Sequence, residues 1–74
     1  MTPTPTLRPL DTVALLDDAP EHGLLRGQVG TLVEALADGV WLVEFADDAG
    51  KAYALPAFRD KQLMALRFTT ALAA

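Results

Sequence analysis

Apolar residues along this chain come in short runs, each closed by a cluster of turn formers, and that spacing predicts strands rather than helices. Asp11-Thr12-Val13-Ala14-Leu15-Leu16 is rich in strand formers and predicts a first strand. Asp17-Asp18-Ala19-Pro20 ends it, because paired Asp and a Pro favour a turn. A long loop then runs to Gly27 through Glu21, His22, Gly23, Leu24, Leu25 and Arg26. From Gln28 to Leu36 a second strand is expected. Its apolar positions Val29, Leu32, Val33 and Leu36 do not alternate cleanly, and Gly30 inside the run signals a bulge or bend. A strand that bends midway can serve two sheets, which would account for apolar residues on both faces.

Asp38-Gly39 marks a tight turn, since glycine takes positive φ at no steric cost. The clearest alternation follows, over Gly39 to Ala46. Trp41, Val43 and Phe45 share one face and Val40, Leu42 and Glu44 the other; the Trp41 face is the expected core, because burying Glu44 would be costly. Asp47-Asp48-Ala49-Gly50 predicts the next turn and Lys51 to Leu55 a fourth strand stopped by Pro56. Residues 57–62 then read as a turn of tight helix and Leu63 to Phe68 as a fifth strand pairing with the first. Residues 58–74 also suit a helix by composition, being rich in Ala, Leu, Met, Lys, Gln and Arg.

The sum is an all-β fold: a small five-stranded SH3-like barrel over residues 11–68, with a short helical turn before the last strand. Closure would remove sheet edges that invite aggregation. Residues 1–10, with Pro3, Pro5 and Pro9, are expected as an extended tail, and residues 69–74 as a C-terminal one.

At 74 residues the chain is one small domain, expected to bury only ~60% of its unfolded surface. It has no cysteine, so neither disulfides nor thiolate zinc can add stability. An apolar share of 51% against 22% charged supplies a core and argues against disorder. Apolar runs such as Val40-Trp41-Leu42-Val43 fall far short of the ~18 residues of a membrane span. Met1 to Thr6 lack the basic and apolar regions of a secretory signal. A soluble, cytoplasmic protein is the expectation.

Charge is unevenly placed. Asp11, Asp17, Asp18, Glu21, Glu34, Asp38, Glu44, Asp47 and Asp48 are offset over residues 11–48 by Arg26 alone. Lys51, Arg59, Lys61 and Arg67 face only Asp60 after that, and with Arg8 at the start the net charge is −4. This balance argues against tight binding to a phosphate backbone. It suits either a solvated acidic surface or a face for a basic partner protein.

Chemistry is scarce. His22 is the only histidine; Glu21, Asp17 and Asp18 lie near it, but a second imidazole or thiolate to complete a metal set is missing. A loop histidine among solvated acids, or one that ties the loop down, is the simpler reading. There is no Cys or Ser nucleophile and no phosphate-cradling glycine loop. Asp17-Asp18 and Asp47-Asp48 sit in turns, where Asp is expected for backbone reasons. No catalytic, metal or cofactor site is therefore expected.

The order and spacing of Asp11-Thr12-Val13-x-Leu15, Pro20-Glu21-His22-Gly23-Leu24, Gly27-x-Val29-Gly30-Thr31-x-Val33-Glu34, Val43-Glu44-Phe45, Gly50-Lys51, Ala54-Leu55 and Gln62-Leu63 resemble a family of short bacterial proteins classed as a domain of unknown function. The resemblance spans residues 11–66; it supports the fold and implies no activity. Gly27-x-x-Gly30 is also similar to the short motif of KOW domains, found in ribosomal and transcription-elongation proteins.

These readings converge on a non-catalytic protein-interaction module, of antitoxin or immunity type or an accessory subunit, that binds a basic partner protein through its acidic loop. The candidate contacts are Asp17, Asp18, Glu21, His22, Leu24, Leu25, Arg26 and Trp41. One of Leu24 and Leu25 is expected to pack inward as an anchor and the other to be an exposed contact. The rival is a KOW-like nucleic-acid binder, for which Lys51, Arg59, Lys61 and Arg67 would have to gather on one face beside an aromatic.

Overall fold

The alternation in Val40–Ala46 becomes the centre of the core. Val43 and Phe45 are fully buried, Trp41 packs against the same cluster, and Glu44 is exposed. The computed structural model describes residues 7–68. They contain β1 (Thr12–Leu15), β2 (Val29–Ala37), β3 (Val40–Ala46), β4 (Ala52–Ala54), β5 (Ala57–Arg59) and β6 (Leu63–Ala65). One-turn 3-10 helices at Pro20–His22 and Asp60–Gln62 lie in the connections. All pairings are antiparallel, in the order β4-β3-β2-β1-β6, with β5 also on β3.

The all-β expectation holds, and the last strand pairs with the first as expected, Val13 opposite Ala65 and Leu15 opposite Leu63. The strand count and the closure do not hold. There are six strands, and among the described residues no pairing returns β6 to β4 or β5, so the sheet is open. The extra strand comes from residues 57–62, expected as one helical turn. Only Asp60–Gln62 is helical, while Ala57–Arg59 pairs with Leu42, Trp41 and Val40. The cause is Phe58, which is buried edge-on against Phe45 with ring centroids 6.1 Å apart. Pro56 interrupts rather than ends the ladder. It has no N–H to give, but its carbonyl accepts the Val43 N–H at 2.9 Å, so β4 and β5 follow β3 in succession. The last strand stops at Ala65 instead of reaching Phe68, although the Leu66 N–H still bonds the Thr12 carbonyl at 2.9 Å.

Strand β2 serves both neighbours, residues 29–31 on β1 and 31–37 on β3. Its broken alternation has the expected cause, but at other positions. The register with β3 shifts between Leu32 and Glu34 and again between Ala35 and Ala37, leaving Val33 and Leu36 as the extra, exposed residues. Gly30 is no bulge; it pairs with Val13 and lets β3 come close. A Cβ there would lie 2.8 Å from Val43 Cγ1 and 2.9 Å from the Glu44 carbonyl oxygen.

Leu7 to Leu10 belong to the fold and not to a free tail. Leu7 packs against the core, and Arg8 to Asp11 form a turn closed by Asp11 N–H to the Arg8 carbonyl at 3.1 Å. Pro9 and a left-handed Leu10 (φ 74) occupy its centre, the pattern of a type II turn. The rest of the expected tails, residues 1–6 and 69–74, lies outside the described residues.

Candidate interaction surfaces

The loop from Leu16 to Gln28 is long but internally tied. Ala19 and Leu24 exchange backbone hydrogen bonds at 2.9 and 3.1 Å, closing the 3-10 turn Pro20–His22, and left-handed Gly23 (φ 70) ends that turn. Gly27 donates to the Leu15 carbonyl at 2.8 Å, which returns the chain to β1. Two side chains finish the work: Asp18 Oδ1 accepts the Arg26 N–H at 2.8 Å, and Gln28 Oε1 accepts the Leu25 N–H.

This geometry sorts the sequence-derived candidates. Leu24 is fully buried (0% exposed) and anchors the loop in the core; it offers nothing to a partner. Leu25 is the outward member of the pair, 62% exposed. Asp18 holds the loop through Arg26. His22 lies edge-on to Phe58 at 5.6 Å between ring centroids, so it ties the 3-10 turn to the core by packing. Asp17, Glu21 and Arg26 are exposed. Among the described residues no group of three or more His, Cys, Asp or Glu side chains could hold a metal ion.

Of the chain's aromatics, Tyr53 is the one that joins this surface. Gln28 Nε2 donates to the Tyr53 hydroxyl at 2.9 Å, bringing half-exposed Tyr53 of β4 beside the loop. The contact spans 25 positions, and nothing local in the sequence announces it.

Trp41 belongs to a different place. It lines a groove of about 540 Å³ with Leu7, Leu16, Leu63, Met64 and Ala65, and Asp60, Lys61 and Arg67 supply the charge. None of the residues from Asp17 to Arg26 lines it. The four late cations divide. Lys61 and Arg67 reach the groove, and Arg59 adjoins it opposite Val40. Lys51 sits at the other end of β3, its carbonyl accepting the Asp47 N–H at 2.9 Å. No helix of the described residues is long and apolar enough to cross a membrane.

The chain belongs to the family described as Domain of unknown function (DUF4926), whose model matches residues 10–65. No curated protein and no solved structure matches it.

Proposed function

For a chain of this family, we propose a non-catalytic protein-interaction module on an SH3-like arrangement of strands, binding a basic partner protein through the long loop and the adjoining Tyr53. The SH3-like reading is supported by the order of elements: a long first loop, two tight hairpins, and a 3-10 turn leading into a last strand that pairs with the first. A single observation carries the binding reading. Leu25 stands 62% exposed on a loop whose neighbours are pinned by Leu24, Asp18 and Gln28. An apolar side chain held out by a pre-ordered loop loses little conformational entropy on binding. Asp17 and Glu21, exposed on the same loop, favour a basic partner and speed encounter.

The test is affinity capture with the tagged chain, identification of a stoichiometric protein partner, and repetition with Asp17→Asn, Glu21→Gln and Leu25→Ala combined. Asp18 is left in place because it holds the loop. Loss of capture at an unchanged melting temperature supports the proposal; full capture removes the loop from it.

A further inference from the structure

The open side of β6 and the Trp41 groove meet, and their chemistry specifies an occupant unlike the partner of the loop. In an antiparallel pair, successive residues turn their backbone groups alternately toward and away from the neighbour. Leu16 N–H bonds the Gln62 carbonyl at 3.0 Å and Leu66 N–H the Thr12 carbonyl at 2.9 Å, so Gln62, Met64 and Leu66 are the residues that face β1. Leu63 and Ala65 therefore face the other way. The Leu63 N–H is used by the Asp60 carbonyl. The Leu63 carbonyl and both backbone groups of Ala65 have no partner among the described residues. Leu63, Met64 and Ala65 are also one wall of the groove, with Trp41 in its lining. No hydrogen bond among the described residues uses the Trp41 indole N–H.

Charge completes the picture. The chain carries −4 overall, yet the groove is lined by Lys61 and Arg67 against Asp60 alone; among the charged residues next in sequence to lining ones, Arg8 and Arg59 are balanced by Asp17 and Asp38. We propose that β6 accepts an extended segment of a partner protein as an added strand, with an apolar side chain set on Trp41 and an acidic one, two residues along, at Lys61 and Arg67. Backbone pairing supplies affinity in such strand addition, and alternate side chains supply selection. An added strand also covers one of the two edges that closure would have removed. Of the loop only Leu16, its first residue, lines this surface, and the inference stands whether or not the loop binds.

Trp41 is the chain's only tryptophan and reports on its own groove. The probe is the capped peptide Thr-Val-Phe-Thr-Glu-Thr-Val-Thr, titrated into the full chain while indole emission is followed. A saturable change in emission is expected, with roughly tenfold weaker binding when the peptide's Glu is replaced by Lys. Methylating alternate peptide nitrogens in one register should abolish binding, and in the other leave it intact. Lys61→Glu combined with Arg67→Glu should reverse the preference between the two peptides, its unchanged melting temperature showing that it folds. The loop variant described above should bind the peptide like the wild type, which separates this test from that of the loop.

No response up to about 1 mM peptide, or equal loss in both methylated registers, overturns the inference. So does saturable quenching by oligouridine without any by the peptide, which assigns the groove to nucleic acid. A concentration-dependent dimer that Lys61→Glu dissolves assigns it to a second copy instead and overturns the inference as well.

Discussion

Replacing Gly30 by Ala should be among the most damaging single-methyl additions in this chain, although glycine in a strand is ordinarily a weakness. The added Cβ would lie 2.8 Å from Val43 Cγ1, 2.9 Å from the Glu44 carbonyl oxygen and 3.0 Å from Phe45 Cε1. Favourable carbon contacts lie near ~3.5–4.0 Å, so the two carbon neighbours are too close by about half an ångström or more, and the carbonyl oxygen is also inside normal contact. None of the three yields easily. Val43 and Phe45 are fully buried, and the Glu44 oxygen is backbone of β3, in register opposite Thr31. Relief must come from parting β2 and β3, the two longest strands.

Overpacking of this kind costs about 1–3 kcal/mol, and three immovable neighbours place it at the upper end, ~3 kcal/mol. Alanine's smaller unfolded-state entropy returns about 0.5–1 kcal/mol, leaving a net loss of about 2 kcal/mol. For a domain of this size that lowers the melting temperature by about 8–16 °C. Urea denaturation followed by Trp41 emission, together with a thermal melt by circular dichroism, measures both quantities. A loss below about 0.5 kcal/mol, within the range of ordinary surface substitutions, would refute the close approach of β3 to Gly30. Gly50 is the control. It has nothing within 4 Å of a built Cβ but a φ of 81, so Gly50→Ala should cost ~1 kcal/mol through backbone strain alone. Gly50→Asn should recover part of that loss, because Asn tolerates the left-handed region, whereas Gly30→Asn should be worse than Gly30→Ala.

Adjacent Leu24 and Leu25 should separate cleanly: Leu24→Ala costs about 2–4 kcal/mol by opening a cavity, and Leu25→Ala stays within about 0.5 kcal/mol, both read from urea midpoints. Asp47 Oδ1 accepts the N–H of both Ala49 and Lys51 at 2.9 Å, so Asp47→Ala should cost about 1 kcal/mol, while Asp48→Ala in the same turn, used here as the reference, stays within about 0.5 kcal/mol. Leu10 is 80% exposed with φ 74, and Leu10→Gly should raise stability by about 0.5 kcal/mol, since relief of the left-handed strain exceeds the added chain entropy; a loss above about 1 kcal/mol contradicts this account of the turn.

What the residues settle by themselves is local. Asp38-Gly39 and Asp47 to Gly50 make turns because left-handed glycine and the Asp side chain satisfy the backbone within a few residues; Gly39 and Gly50 have φ 71 and 81. The buried face of β3 follows from its period of two, and the inward turn of one leucine from the pair on a long loop follows from the need for an anchor. Composition adds the acidic character of the loop and the lack of Cys and Ser chemistry.

What required the tertiary structure is every matter of which distant residue meets which. Residues 57–59 carry no strand pattern long enough to read, and became β5 because Phe58 found Phe45 and β3 had an unpaired stretch past Pro56. Gly30 reads as a bulge in one dimension and proves to be a point of close approach in three, because its constraint comes from Val43 to Phe45 on another strand. Trp41 read as core and as a candidate contact beside the loop; it packs against the core, and the β3–β5 register and the return of β6 to β1 set it in a groove with Lys61 and Arg67. Turn preference and alternation act over a few bonds and are written in neighbouring residues. Register, edge exposure and grooves arise from pairings between segments dozens of residues apart, where the energy belongs to the contact and not to either segment alone.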